Sequence, residues 1–285
     1  MLKLMRKAVL IAIPSLLCWQ PATAAEAPKT ALEMRDYAWR NGLREATFGN
    51  RPIIESEDIV QLEAPARAED AARVPLKVKA QIPQTTERYI KTITLLIDGN
   101  PVPEVGRFVF TPKSGRADLS LRVRVNDYTA VRAVAETNDG KLYMSQRFVQ
   151  ASGGCSAPLA TDLEAALTRL GKIKIRTRDE VTAEPIPTLL SISHPNVTGL
   201  RSDKISAAYM PPHYVNGVKI SFNGEPVMTA ETDIAVSEDP SIGFYFVPDR
   251  DGELQIEVSD SQGQIFTAVH SVKMAPPDPN AVTAR

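Results

Sequence analysis

Cys155 is the residue whose type and setting point most directly to chemistry. The 285-residue chain has two cysteines, Cys18 and Cys155, and the first falls inside an expected export signal. Lys3, Arg6 and Lys7 form a positive start, Ala8 to Leu17 an apolar stretch, and Ala22-Thr23-Ala24 the small-x-small pattern after which a signal peptidase cuts. The apolar run is too short to cross a bilayer as a helix, and Leu17 is too bulky for lipid attachment at Cys18. The expected product is a periplasmic protein, exported by a Sec-type signal peptide. It would keep one thiol in an oxidising compartment without an internal disulfide partner. Such a thiol is buried and inert, paired with another chain, or kept for reaction.

The flanks of Cys155 favour reaction. Gly153 and Gly154 precede it and Ser156-Ala157-Pro158 follow, with no apolar alternation to carry the sulfur into a core. Glycines permit unusual φ values and leave little bulk near the sulfur, so an exposed thiol on a mobile arm is expected. No Lys, Arg or His lies within five residues of Cys155. The sequence therefore supplies no local cause for ionisation below the usual thiol value of ~8.5.

Other candidates are weaker. His194, His213 and His270 are the only histidines, and none has ligand spacing. A metal site would need them to converge from separate elements, so turn or strand histidines and no metal are expected. Arg122, Arg124 and Arg132 alternate with apolar residues, as the solvated face of a sheet would, rather than as an anion-docking patch. No phosphate loop, nucleotide fingerprint or paired nucleophile and base is visible, so a non-catalytic protein is expected, a thiol enzyme being a weaker reading. A net charge of −1 and a pI near 6.4 give no footprint for nucleic acid. No further apolar stretch reaches transmembrane length, so no membrane insertion is expected.

The elements that must hold the thiol are mostly strands. Residues 29–50 carry a helical pattern around Tyr37, Trp39 and Leu43, ended by Gly49. From Ile59 the period changes to two. Segments 74–82, 89–97, 107–111, 117–125, 129–137 and 141–149 alternate, with Asp98-Gly99 and Asp139-Gly140 as turns. A short helix over 161–171 and an alternating stretch over 172–178 follow. Strand patterns then return at 189–194, 215–222, 225–233, 242–248, 252–259 and 264–274. The expected fold is all-β, two antiparallel sandwiches with a short N-terminal helix and a cysteine-bearing linker. The expected order is a signal peptide (1–24), a helical segment (25–58), a first sandwich ending in the Gly-Gly-Cys arm (59–158), a linker with a short helix (159–187), a second sandwich (188–275) and a disordered tail (276–285).

Ala-Glu-Asp-Ala-Ala-Arg-Val-Pro-Leu (68–76), Ile97-Asp-Gly-Asn-Pro101 and Gly153-Gly154-Cys155 resemble SoxY, the sulfur-carrier subunit of bacterial sulfur oxidation. His194-Pro-Asn-Val-Thr-Gly-Leu-Arg201, Phe222-Asn-Gly-Glu225 and Phe244-Tyr-Phe-Val resemble its partner SoxZ. The whole is similar to a SoxYZ fusion of the type associated with quinoprotein dehydrogenases. The resemblance implies two immunoglobulin-like sandwiches side by side and a covalent sulfur adduct on Cys155, with no other cofactor. Implied partners are periplasmic Sox-type enzymes of thiosulfate oxidation, a c-type cytochrome or a quinoprotein dehydrogenase. Two chains pairing through a Cys155 disulfide is an added possibility. His194 and Arg201 are expected at the domain contact or a docking surface. One departure stands out: Ser156-Ala157-Pro158 replace the trailing glycines of the family, and the chain runs on, tethering the arm at both ends. The alternative function is a structural or assembly module that binds a dehydrogenase or cytochrome, with the thiol incidental.

Overall fold

The computed structural model describes residues 36–160, 162–178, 180–201 and 209–275. The expected signal peptide and tail lie outside the described residues. Strands dominate where apolar and polar residues alternate, because one face of each can then be buried. In the first half they are Ile53–Glu55 (β1), Val60–Glu63 (β2), Val74–Ala80 (β3), Ile90–Ile97 (β4), Glu104–Phe110 (β5), Leu119–Val123 (β6), Thr129–Thr137 (β7) and Leu142–Val149 (β8). In the second they are Ile173–Arg176 (β9), Glu180–Val181 (β10), Ile186–Ile192 (β11), Val215–Phe222 (β12), Glu225–Thr232 (β13), Ser241–Phe246 (β14), Gly252–Asp260 (β15) and Ile265–Met274 (β16). The stretch expected as a linker thus contributes β9 and β10, and its short helix, α2, is Leu163–Leu167, capped by the Asp162 carboxylate. The N-terminal helix is broken into a turn over Trp39–Leu43, which contains Gly42 at φ 134°, and α1, Arg44–Phe48.

The two halves are not beads on a linker. Their sheets are continuous. One ten-stranded sheet runs β1-β8-β7-β4-β5-β13-β12-β15-β16-β10, and a six-stranded sheet runs β2-β3-β6-β14-β11-β9. The halves meet where β5 pairs antiparallel with β13, Phe110 opposite Met228 through Gly106 opposite Thr232. On the other sheet β6 pairs with β14 at one position, Ser120 opposite Gly243, where a Cβ on Gly243 would lie 2.2 Å from the Ser120 hydroxyl, and the end of β6 makes a further bridge, Val123 opposite Val236. Each half keeps the same sequence of neighbours on both sides of the join, so the pairing is that of a pseudo-twofold dimer within one chain. Each sandwich covers the other's open edge, which would otherwise present unpaired backbone groups. The main core correspondingly runs through both halves as one cluster, with Leu76, Phe108 and Phe110 from the first half alongside Val227, Phe244 and Phe246 from the second.

Arg132 corrects one expectation. It sits on β7, a strand buried on both faces, and is 1 % exposed rather than solvated. Its Nε and Nη2 donate to Asp98 at 3.0 and 2.8 Å, and Nη2 also donates to Asp36 at 2.6 Å. The Trp39 ring centre lies 4.5 Å from its guanidinium carbon. The N-terminal segment therefore caps the outer face of the first sandwich, with Trp39 and Phe48 packed on Leu96, Val134 and Met144. Arg132→Leu would leave Asp98 buried without its cation and should lower unfolding free energy by about 3–5 kcal/mol. Urea unfolding of the variant beside wild type checks this, and equal midpoints would contradict it.

Candidate functional site

Cys155 lies at the seam between the halves. After β8 the chain turns back along the first sandwich, where the Gln150 N–H donates to Ala66 (2.9 Å) and the Ala68 N–H to Gln150 (3.0 Å). The Gly153 N–H then donates to Asn126 (2.9 Å) and the Gly154 N–H to Val125 (3.0 Å), just beyond the end of β6. Both glycines have a physical reason. Gly153 has φ +76°, a conformation that side chains resist. Gly154 lies so close to the chain below that a Cβ would fall 2.1 Å from the Ala71 carbonyl oxygen. From the other half, the Thr198 hydroxyl donates to the Cys155 carbonyl at 2.7 Å.

The expected exposed thiol is therefore a correction. Cys155 is free but buried, with 3 % of its surface exposed. Local sequence is silent on this because the groups that hold the segment, the Ala71 carbonyl packed against Gly154 and the Thr198 hydroxyl on the Cys155 carbonyl, come from far away in the chain. Burial pushes the thiol up to about 11, and the nearby Arg124 guanidinium offsets this only in part. At neutral pH the docked sulfur is a protonated, shielded thiol.

Arg124 is the second correction. Alternation along 121–125 predicts it outward with Arg122, and Arg122 is indeed exposed. Arg124 is 5 % exposed, because residues 234–238 of the second half cover that face of the sheet. Its backbone N–H donates to Ala235 (2.7 Å), and its Nη1 donates to the carbonyls of Ile234 (3.2 Å) and Val236. Its carbonyl accepts from the Asn100 side chain at 2.8 Å, and the Asn126 N–H donates back to Asn100 Oδ1 at 2.8 Å, so the Asp98-Gly99-Asn100 turn braces the strand end that receives the arm.

Glu238 was not foreseen either. Its Oε2 accepts from the Ala160 N–H at 2.8 Å, fixing the far side of the cysteine segment. Arg73 and Arg169 each approach it to 3.7 Å, and its Oε1 is buried without a hydrogen bond. An ordinary Glu-Asp pair in a loop, Glu238-Asp239, gives no sequence signal of that setting.

Two of the three histidines converge, contrary to expectation. His194 and His213 have ring centres 4.6 Å apart, and Asp260 lies beside both. His213 Nε2 is 2.8 Å from Asp260 Oδ2; His194 Nε2 is 3.5 Å from the same oxygen and has no hydrogen bond. The donor set resembles a metal site, but its protons do not fit one. A metal-bound histidine normally donates its other ring N–H, whereas His194 Nδ1 accepts the Asn196 N–H at 3.1 Å. The neutral ring then carries its proton on Nε2, facing Asp260. Burial acts to raise the Asp260 carboxyl, but His213 and the N–H groups of Gln264 and Gln262 outweigh it and hold Asp260 below the usual range. The cluster braces a loop. Val197 and His213 exchange backbone hydrogen bonds at 2.7 and 2.9 Å, and Asn196 reaches Val236 with its side chain (3.2 Å). Thr198 follows directly and holds the Cys155 carbonyl.

His194 is thus wholly buried inside the second half rather than at a docking surface. Arg201 is half-buried, donates to Met210 Sδ at 3.0 Å, and adds positive charge near Arg124. His270 lies apart on β16.

Burial, then the charge on His213, lowers His194 from its ordinary 6.5 to about 4. A histidine held neutral in the fold is protonated more readily once unfolded, so stability is full above pH 6.5 and falls as pH drops toward 4. The loss should approach about 3 kcal/mol at the acid end. His194→Asn, whose Oδ1 can replace Nδ1 as acceptor, should flatten the slope of unfolding free energy over that window. A slope equal to wild type would contradict the assignment.

Two family models match the chain in succession. The family model of sulfur oxidation protein SoxY matches residues 44–155, ending on Cys155. That of sulphur oxidation protein SoxZ matches residues 173–271. Among solved structures, the sulfur carrier protein SoxY from Chlorobium limicola f thiosulfatophilum is 29% identical, with a TM-score of 0.35, over 42% of this chain and 96% of that one. A putative superoxide reductase from Thermotoga maritima is 22% identical, with a TM-score of 0.30, over 36% of this chain and 95% of its own. These TM-scores are too low to carry residue roles across. No curated protein matches the chain. With a SoxY match and a SoxZ match in succession on one continuous double sheet, the chain belongs to the SoxY and SoxZ sulfur oxidation proteins, as a fused SoxYZ-like carrier of sulfur oxidation.

Proposed function

We propose that this is a periplasmic carrier that holds a sulfur-containing group covalently on Cys155 and presents it to partner oxidoreductases. The partners are Sox-type enzymes and a c-type cytochrome, or a quinoprotein dehydrogenase system. The observation that carries this reading is the position of Cys155: it is a free thiol, the last residue of the SoxY match, in a segment held by a few hydrogen bonds and no strand ladder. Joining its thiolate to a thiosulfate ion through an S–S bond releases two electrons, which a partner cytochrome would accept. The protein itself need supply no catalytic base.

Burial of the sulfur makes the carrier two-state. Docked, the thiol is neutral and shielded. Undocking gives up the bonds from the Gly153 and Gly154 N–H groups and from Thr198, roughly 3 kcal/mol at about 1 kcal/mol each. That leaves an open population on the order of one molecule in a hundred, enough for a partner to capture. Once free of the seam the thiol should ionise near the ordinary ~8.5. A disulfide between two chains would need the same undocking.

Two variants probe the latch. Gly154→Ala places a Cβ against the Ala71 carbonyl and should hold the segment open, so that a neutral alkylating reagent reacts with Cys155 at least tenfold faster than in wild type. Thr198→Val removes one hydrogen bond worth about 1 kcal/mol and should accelerate the same reaction about fivefold. Unchanged rates in both would contradict a hydrogen-bonded latch.

The burial of the thiol is the observation behind a second reading, an assembly module in which Cys155 is a small core residue. Intact mass spectrometry of protein from its native host separates the two. The carrier reading expects reductant-labile, sulfur-sized additions on the Cys155 peptide and loss of function in Cys155→Ala. A bare thiol with full function in that variant supports the module instead.

A further inference from the structure

Arg124 is a buried guanidinium without a carboxylate partner. Among the described residues no acidic group lies within ion-pair distance of it, and its Nη1 is engaged by the uncharged carbonyls of Ile234 and Val236. The groups that favour its charge from a distance are the Cys155 sulfur and Glu238; Arg201 and Arg73 oppose it. Glu238 is already shared between Arg73 and Arg169, at 3.7 Å from each. A cation removed from water and left without an anion is costly, and burial draws Arg124 down to about 10. The resting thiol offers no relief, because it is neutral.

The backbone brings the strand end of Arg124 and the cysteine segment together. Val125, next to Arg124, accepts the hydrogen bond from Gly154, next to Cys155, at 3.0 Å. Among the described residues, Arg124 is also the charge that acts on the Cys155 sulfur. One added sulfur atom would turn a neutral group into an anion at that spot, because a persulfide is a stronger acid than its parent thiol and ionises near neutral pH.

We propose that Arg124 is the counter-ion of an ionised persulfide on Cys155, so that the loaded segment docks more firmly than the empty one. The proposal rests on the carrier reading for the origin of the adduct, but its test does not. Loading would also match charge to burial: the site would shield the reactive sulfur when it is present and release the thiol more readily after it is gone.

The full chain can be loaded chemically. An aryl disulfide on Cys155 reacts with hydrosulfide to give the persulfide and an aryl thiolate; one S–S bond breaks, another forms, and there is no net oxidation. Mass spectrometry confirms one added sulfur. The near-ultraviolet absorption of the persulfide anion, followed against pH, should place half-ionisation about one to three pH units lower in wild type than in Arg124→Gln. Arg124→Lys, which keeps the charge, should stay near wild type. Superimposable curves for folded wild type and Arg124→Gln overturn the proposal. Should Arg124→Gln fail to fold, wild type alone decides: loading should raise its Tm at pH 8, and an unchanged or lower Tm overturns it. An unmodified Cys155 in protein from the native host would sink the carrier reading while leaving the titration result intact.

Discussion

The docking of Gly153-Gly154-Cys155 onto the end of β6 is the interaction on which the rest depends. Two N–H groups of the segment find the carbonyls of Val125 and Asn126, and the second sandwich closes the site by supplying Thr198. That arrangement needs the two halves in fixed relation. Continuous sheets provide it, since β5 and β13 pair across the join and the core runs through both halves. A flexible linker between sandwiches would leave the thiol with half a binding site. The fusion of both domains in one chain, and the tether at both ends of the cysteine segment, are consistent with a short excursion from a fixed dock rather than a long free arm.

Charge concentrates at this seam for a related reason. Apolar strands fill the interior on either side, so polar loops from both halves are forced into one narrow zone. Arg73, Arg124 and Arg201 come to it from three separate segments, against Glu238 at the centre. The His194, His213 and Asp260 cluster stands one layer back and secures the loop that carries Thr198. Such networks are costly to bury unless every member is partnered. Besides His194 Nε2, two poorly satisfied groups among the described residues are therefore informative: Glu238 Oε1 lacks a hydrogen bond and Arg124 lacks a counter-ion, and both lie around the cysteine segment.

Much of the fold was legible in the sequence, because alternation and turn residues are local. The strands of both halves from β3 to β8 and β11 to β16 lie close to where period-two patterning puts them. Cys155 was legible as an odd thiol among glycines. What could not be read was long-range burial. Arg124 and Arg132 occupy the polar phase of their strands, and alternation places that phase in water unless something covers it. Residues 234–238 cover the first and the Asp36 to Trp39 turn covers the second, and neither contact leaves a mark near the arginines themselves. The glycines misled for the same reason: a residue that allows motion also allows close approach, and Gly154 beside the Ala71 carbonyl is the latter. The edge-to-edge union of the sandwiches was equally hidden, since no local pattern says which strand edges will pair.

The most direct test is the reaction of Cys155 in the native chain with a neutral alkylating reagent, followed across sub-denaturing urea concentrations. A docked thiol that opens locally should react roughly a hundredfold slower than an unfolded thiol, and its rate should rise only weakly with urea, because little surface is exposed. Reaction at the full rate of a free thiol would show that the segment does not dock. A urea dependence as steep as global unfolding would show that it never opens alone, and either result would contradict the account.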